Sequence, residues 1–588
     1  KRTSRPRRFL IKNLHERLAL RLSYNFQTNC YFSITFCYCI KYYSVSKYFT
    51  DNFVSKIELL FKTLKIKLTD YKSINVKGKI MSQNTKGKLS LVGLSLMIFT
   101  TVFGFGNIPV AFYQMGYGAI PWYIIGALLF FLPFAFMVTE MGSAFKDEKG
   151  GIYSWMSEAV NPTFAFVGTF MWYASYVIWM VSVANKILIP MVNLIFGNST
   201  HTPSLLWISI AAVVWMALIT FMVSKGVETI KKFTSIAGVA VLSLNVILIL
   251  GAVLVLVVNG HPATPINLAA FTSSPNPTFD GSIVAFIAFL VFAIFAYGGV
   301  ESIAGLVDQT HEPEKNFPRG IITSALIIAV GYAVAILSVG FFVDYSQWIP
   351  AIKDGSMNLG TVPYMLLQNL GEAVGHALGL STSGADMLGG IFARYIGLSM
   401  LLAYMGAFFT LTYSPIKQLI TGTPEKLWPG KLGKLDEEGM PKFAMWIQFA
   451  IVTLIIVLNF LTSQGGASQF FLILTYMANV SMTLPYLFIV IAFWYFKKNK
   501  NIVKPIEFFK SNFVVNFLTI LVLVVVGGAN FFTIIQPIVN YVQLPAVDQT
   551  GKALSEMLTS FISMIGGPLI FGVIAYFMMR NYRKKNNL

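Results

Sequence analysis

From residue 89 to residue 580 the chain is a succession of apolar runs separated by short polar intervals. Twelve runs stand near 89–113, 119–143, 163–188, 204–224, 233–258, 282–308, 320–342, 390–420, 443–462, 468–496, 513–535 and 560–580. Each approaches the ~20 apolar residues that carry a helix across a bilayer. The pattern predicts an all-α polytopic membrane protein with twelve transmembrane helices. Basic residues then set an orientation. With the N-terminus on the cytoplasmic side, Lys225, Lys231, Lys232, Lys497, Lys498, Lys500, Arg580, Arg583, Lys584 and Lys585 are cytoplasmic, and the outer side receives Lys186, Lys353 and Lys552. That asymmetry follows the positive-inside rule and predicts cytoplasmic N- and C-termini.

Two runs carry residues that oppose a continuous helix. The first contains Gly104-Phe105-Gly106-Asn107 followed by Pro109, and the sixth contains Tyr297-Gly298-Gly299-Val300-Glu301. Glycine is a poor helix former and proline has no amide to donate, so both segments favour unwinding. Irregular backbone at membrane depth is tolerated where it lines protein or a watery cavity. Glycines also let helices pack closely, which would explain one such segment. Two breaks five spans apart predict instead a five-plus-five inverted repeat whose discontinuous helices flank a midplane site. The first repeat then spans 81–258 (helices 1–5) and the second 259–500 (helices 6–10). Residues 501–588 supply helices 11 and 12 and a short cytoplasmic tail.

Composition removes other classes. Of 588 residues, 55% are hydrophobic and 12% charged, where a soluble domain carries about 25% charged residues, so a soluble enzyme and a disordered chain are both excluded. The net charge of +19 invites a nucleic-acid reading, but residues 1–80 alone hold 17 Lys/Arg against 4 Asp/Glu. The cysteines, Cys30, Cys37 and Cys39, also lie in that segment, so the remainder can form neither a disulfide framework nor a thiolate metal site. Residues 1–80 show no helical or strand periodicity. They are expected to be upstream sequence before a start at Met81, or a basic cytoplasmic tail that touches anionic headgroups.

Particular residues carry a family resemblance. Glu140-Met141-Gly142 is followed by Glu148-Lys149-Gly150-Gly151-Ile152-Tyr153-Ser154-Trp155. Phe295-Ala296-Tyr297-Gly298-Gly299-Val300-Glu301-Ser302 is followed by Glu312-Pro313-Glu314-Lys315-Asn316-Phe317-Pro318-Arg319. In this order, over about residues 88–500, the chain resembles the amino acid/polyamine/organocation transporter superfamily, and most of all its glutamate/γ-aminobutyrate antiporter branch. The resemblance implies the LeuT-like five-plus-five fold with two extra C-terminal helices, and alternating-access transport of amino acids. The chain departs from that branch where Ser414-Pro415-Ile416-Lys417 replaces the usual Ser-Arg pair, although Gly439-Met440-Pro441 matches. It also stops shortly after the twelfth run and has no Lys between Phe233 and Val258.

Broken helices suit a zwitterion, whose charges are costly to bury unless both are met. The N-terminus of a second half-helix offers amides to a carboxylate, and the last carbonyls of a first half accept from an ammonium. The expected substrate-binding residues are therefore Gly104, Phe105, Gly106, Asn107 and Ile108, with Ala296, Tyr297, Gly298 and Gly299. Tyr297 is either an aromatic gate or plain packing. Glu301 is an intramembrane carboxylate, a functional candidate by default. The resemblance implies proton sensing there, against the bland role of a helix cap. Glu140, nearer a helix end, reads as structural, and Arg394 as snorkelling or pairing with Asp386. Trp172, Tyr173, Tyr176, Tyr404 and Tyr476 are candidate lining aromatics.

His15, His201, His261, His311 and His376 fall outside the runs without metal spacing, and no phosphate-binding Gly-Lys-Ser/Thr loop occurs. No metal, cofactor, enzymatic activity or nucleic-acid partner is expected. The expected function is secondary active amino-acid transport in the cytoplasmic membrane, by exchange or proton coupling. An amino acid or amine counter-substrate, protons and the bilayer are the partners. A transport-inactive amino-acid sensor on the same fold is the alternative. No fixed cation lies near the breaks, which favours a substrate with a neutral or protonated side chain.

Overall fold

Helix starts in this chain are written by short polar residues. Ser90, Asn161, Ser282, Ser381 and Thr550 each accept a hydrogen bond from the amide three residues on, at 2.9–3.3 Å. Such caps satisfy amides that the first helical turn leaves without partners. The computed structural model describes residues 90–145, 151–199, 203–225, 227–277, 279, 282–302, 310–437, 439–463 and 466–587. The basic segment 1–80, Met81, Glu148, Lys149, Gly150 and the end of the sixth run at 303–308 lie outside the described residues.

The described residues are helical, with no β-strand among them. The first apolar run comprises α1 (Leu91–Val102) and α2 (Asn107–Met115), and the second α3 (Ala119–Gly126), a π turn (Ala127–Phe131) and α4 (Leu132–Ala144). There follow α5 (Ile152–Ala159), α6 (Pro162–Ala184), α7 (Leu188–Phe196), α8 (Leu205–Val223) and α9 (Val227–Asn259). The short α10 (Leu268–Thr272) precedes α11 (Ile283–Ala296), α12 (Pro313–Val339), α13 (Ile349–Lys353), α14 (Val362–Ala377) and α15 (Thr382–Gly422). The last five are α16 (Lys442–Thr462), α17 (Gly466–Thr483), α18 (Pro485–Lys498), α19 (Asn512–Gln543) and α20 (Gly551–Lys585).

Among the described residues, ten helical stretches are long and apolar enough to cross a membrane. The first and sixth runs are not single helices of that length, because α1 stops at Val102 and α11 at Ala296, where the glycines stand. Large apolar side chains point outward, with Val239, Val257 and Phe513 each more than 70% exposed. A water-facing surface does not present such residues over many helices, whereas lipid accommodates them. This is a multi-pass membrane protein.

Two features of the packing position the central site. Helix α12 lies against α1 and also touches α2, α3 and α4, so it backs the first break. Its approach is close at Gly331, where a Cβ would stand 3.1 Å from the Phe103 ring. The π turn in the second run has a local cause. Pro133 has no amide to donate to its i−4 carbonyl, and Leu132 donates to Ala127 five residues back. The widened turn places Phe131 parallel to the Tyr297 ring at a centroid distance of 4.8 Å.

Candidate functional site

At the first break the chain leaves helix at Phe103 and re-enters at Asn107. The Asn107 and Ile108 amides turn back to the carbonyls of Gly104 and Phe105, at 3.2 and 3.1 Å. Among the described residues, the amides of Phe105 and Gly106 meet no acceptor. They precede a nine-residue helix with no acidic residue in its first turn, which is a favourable place for an anion. A Cβ on Gly106 would meet nothing within 4 Å, so the backbone there borders open space.

At the second break α11 ends at Ala296, and Gly299 takes φ +107°, a conformation that L side chains rarely adopt. The Gly298 amide bonds the Phe295 carbonyl at 3.0 Å, and the Gly299 amide donates to Glu301 Oε2 at 3.0 Å. The Glu301 carboxyl is buried. The tyrosines Tyr176 and Tyr486 lie within electrostatic reach of it, as does the Trp172 indole, whose Nε1 meets no acceptor at bonding geometry.

Tyr332, on α12, joins the two breaks, and nothing in the sequence pattern singled it out. Its hydroxyl accepts from the Gly104 amide and from Asn107 Nδ2, both at 3.0 Å. The carbonyls of Val102 and Ala296 stand 3.1 and 3.2 Å from the same oxygen. The ring packs at 4.5 Å from Phe103, 5.2 Å from Tyr123 and 5.6 Å from Tyr297. The available signal was a tyrosine inside an otherwise apolar run, since a buried phenol seeks a partner for its hydroxyl.

The structure thus brings together the residues expected at the two breaks. Gly104, Gly106, Asn107, Gly298 and Gly299 are partly exposed within the bundle, while Phe105, Ile108, Ala296 and Tyr297 have buried side chains. Tyr297 packs: its ring is fully buried and its hydroxyl donates to the Tyr123 carbonyl at 2.9 Å. The other aromatics divide. Tyr173 donates to Gln448 Oε1 at 2.9 Å, Tyr404 lies within electrostatic reach of Tyr364, and Tyr476 packs edge-on against Phe292.

Two charged residues have structural partners. The fully buried Glu140 accepts from Lys497 Nζ at 2.9 Å and from the amides of Phe508 and Phe509 at 2.5 and 2.9 Å. That clamp fastens the 499–511 loop to the end of α4. Arg394 does not pair with Asp386. It donates instead to the Phe196 carbonyl at the end of α7, at 3.2 Å, and to the Gly390 carbonyl at 3.3 Å. A helix C-terminus offers orphan carbonyls to a cation, and this one lies within reach of Arg394. Among the described residues no group of three or more His, Cys, Asp or Glu could hold a metal ion.

Comparison with known proteins adds an independent line. The sequence model of the amino acid permease family matches residues 89–552. The chain is 47% identical to the inner membrane transporter YjeM of Escherichia coli (strain K12) over 510 residues, covering 85% of this chain and 97% of YjeM. It is 25% identical to the aspartate/glutamate permease AcaP of Lactococcus lactis subsp. cremoris, over 69% of this chain and 79% of AcaP. A glutamate/gamma-aminobutyrate antiporter of Lactococcus lactis subsp. lactis is 26% identical, over 61% of this chain and 65% of that protein.

Proposed function

The chain belongs to the amino acid permease family, and from that premise we propose that it is a secondary active amino-acid transporter working by alternating access in the cytoplasmic membrane. It is a transport protein and not an enzyme. The substrate lies between the breaks. Its carboxylate takes the Phe105 and Gly106 amides at the N-terminus of α2, and its ammonium takes the carbonyls that end α1 and α11. Gly104, Asn107, Ile108, Ala296, Tyr297, Gly298 and Gly299 complete the site through backbone or packing. The fold in this reading is the twelve-helix, five-plus-five inverted repeat, with repeats at 81–258 and 259–500, two further helices at 501–588 and both termini cytoplasmic.

The single observation that carries the proposal is the meeting of two mid-helix breaks, with unpaired amides and orphan carbonyls, at one buried tyrosine hydroxyl. Relatives named for amino-acid permeation and antiport support exchange as the energy source. Glu301 is the proton-coupling residue: protonation removes a buried charge and weakens the charge-assisted bond from the Gly299 amide, so the second break responds to pH. The site residues carry no Lys or Arg side chain, which favours substrates with a neutral or protonated side chain.

Counterflow in proteoliposomes tests the proposal. Vesicles loaded with unlabelled amino acids should accumulate a labelled member of the exchanged class, and Glu301→Gln should abolish the pH dependence while keeping exchange. Binding without accumulation would instead identify a transport-inactive sensor.

A further inference from the structure

We propose that Tyr332 is the positioning residue that pins the two helix breaks to one another and divides their carbonyls between protein and substrate. The inference rests on the reading that substrate sits at the breaks. Its chemistry follows from valence. A phenol hydroxyl has one proton to donate and two lone pairs with which to accept. The Gly104 amide and the Asn107 side-chain amide, both at 3.0 Å, fill the lone pairs. One proton then remains for two carbonyls at nearly equal distance, Val102 at 3.1 Å and Ala296 at 3.2 Å.

Two consequences follow. The first is mechanical. One oxygen atom holds the end of α1, the start of α2 and the end of α11 within a single hydrogen-bonding shell, so neither break moves alone while the bonds persist. A movement that opens the site on one side breaks bonds to both halves together. The second is chemical. With one proton for two acceptors, one carbonyl is always left to accept from another donor, and a substrate ammonium is a donor with three protons to give. The proton on Tyr332 can pass from one carbonyl to the other by rotation about the C–O bond, without movement of the ring. Tyr332 therefore selects which break the ammonium engages. The ring has no freedom to leave, because it is fully buried and packed among Phe103, Tyr123 and Tyr297.

Tyr332→Phe keeps the ring and deletes the shared oxygen. Tyr173→Phe is the control, because it deletes a buried hydroxyl that bonds Gln448 on α16 and neither break. Hydrogen–deuterium exchange of the full chain should show faster exchange in Tyr332→Phe at both breaks, in peptides covering 102–108 and 295–300. Tyr173→Phe should leave both peptides unchanged. In counterflow, Tyr332→Phe should raise the half-saturating amino-acid concentration at least tenfold and lower the maximal rate less than that, which a general loss of stability would not do. Exchange unchanged at either break overturns the pin, whatever the transport result. Faster exchange at both breaks with unchanged half-saturation overturns the role toward substrate. A wild-type protein that accumulates no amino acid overturns the transport reading, and the exchange data still decide the pin.

Discussion

Glu140 and Lys497 permit a quantitative forecast because their surroundings are asymmetric. The Glu140 side chain is fully buried and the Lys497 side chain 5% exposed, at 2.9 Å from each other. Lys497 has a second partner, Glu507 at 2.8 Å, on the more exposed side. Among the described residues no second cation is in ion-pair contact with Glu140: Lys504 acts on it only from a distance, and its other bonds are from the Phe508 and Phe509 amides. Removing one member of a buried pair costs about 3–5 kcal/mol when the other charge is stranded. Lys497→Met strands Glu140 and should cost about that much. Glu140→Gln leaves Lys497 on Glu507, and its amide oxygen still accepts from the two backbone amides. Its loss is close to one charge-assisted hydrogen bond, about 1.5–3 kcal/mol. The double variant should be more stable than Lys497→Met alone, because no carboxylate is left uncompensated. Intrinsic tryptophan fluorescence during heating in detergent, at a fixed scan rate, gives the ranking. Losses that add in the double variant, or a Glu140→Gln loss as large as that of Lys497→Met, would refute the reasoning.

Other expectations follow from geometry. A Cβ on Gly298 would stand 2.4 Å from the Tyr486 hydroxyl, so Gly298→Ala should destabilise by roughly 1–3 kcal/mol, measured by the same heating assay. Gly106→Ala, with nothing within 4 Å and φ −58°, should stay within about 1 kcal/mol of wild type. Glu372 lies on α14, outside the membrane-spanning segments, and its carboxyl is pushed above the usual range chiefly by burial, which the Gln368 hydrogen bond partly opposes, with Asp386 adding to the rise and His376 opposing it less. A raised carboxyl pKa means that this group's stabilising contribution is complete below its unfolded pKa and is lost as pH rises through the folded one. Glu372→Gln should therefore gain unfolding temperature over wild type at neutral pH, with the difference shrinking on acidification. A difference independent of pH would contradict that assignment.

The breaks were legible in the sequence because glycine and proline act through the backbone, and several of them clustered within a few residues oppose a helix more than one alone does. Gly104, Gly106 and Pro109 end α1 and restart the chain as α2, and Gly298 and Gly299 end α11, where the pattern placed them. Glu140 was legible for a similar reason, since a buried carboxylate near a helix end needs partners and found them in Lys497 and two amides. What escaped depends on which helix lies behind which. Tyr332 is marked in sequence only as a tyrosine within an apolar run, and its importance comes from the contact of α12 with α1, which spacing along one helix does not encode. Of the two expectations for Arg394, snorkelling agrees with its exposure and the Asp386 pair does not form, because the Phe196 carbonyl is within reach in space. The π turn at Ala127–Phe131 was foreshadowed only by Pro133.

The central claim is that an amino acid is exchanged through a site between the two breaks, and Gly106 offers the most direct test. A Cβ there meets nothing within 4 Å, so a larger side chain starts from open space and projects into the site. Counterflow should be measured for wild type and Gly106→Val at matched reconstitution, with each labelled amino acid in turn. The account expects one class of amino acids to accumulate in wild-type vesicles, and that accumulation to fall at least tenfold in Gly106→Val while the unfolding temperature stays near wild type. Undiminished accumulation in a folded Gly106→Val, or none in wild type, would contradict it.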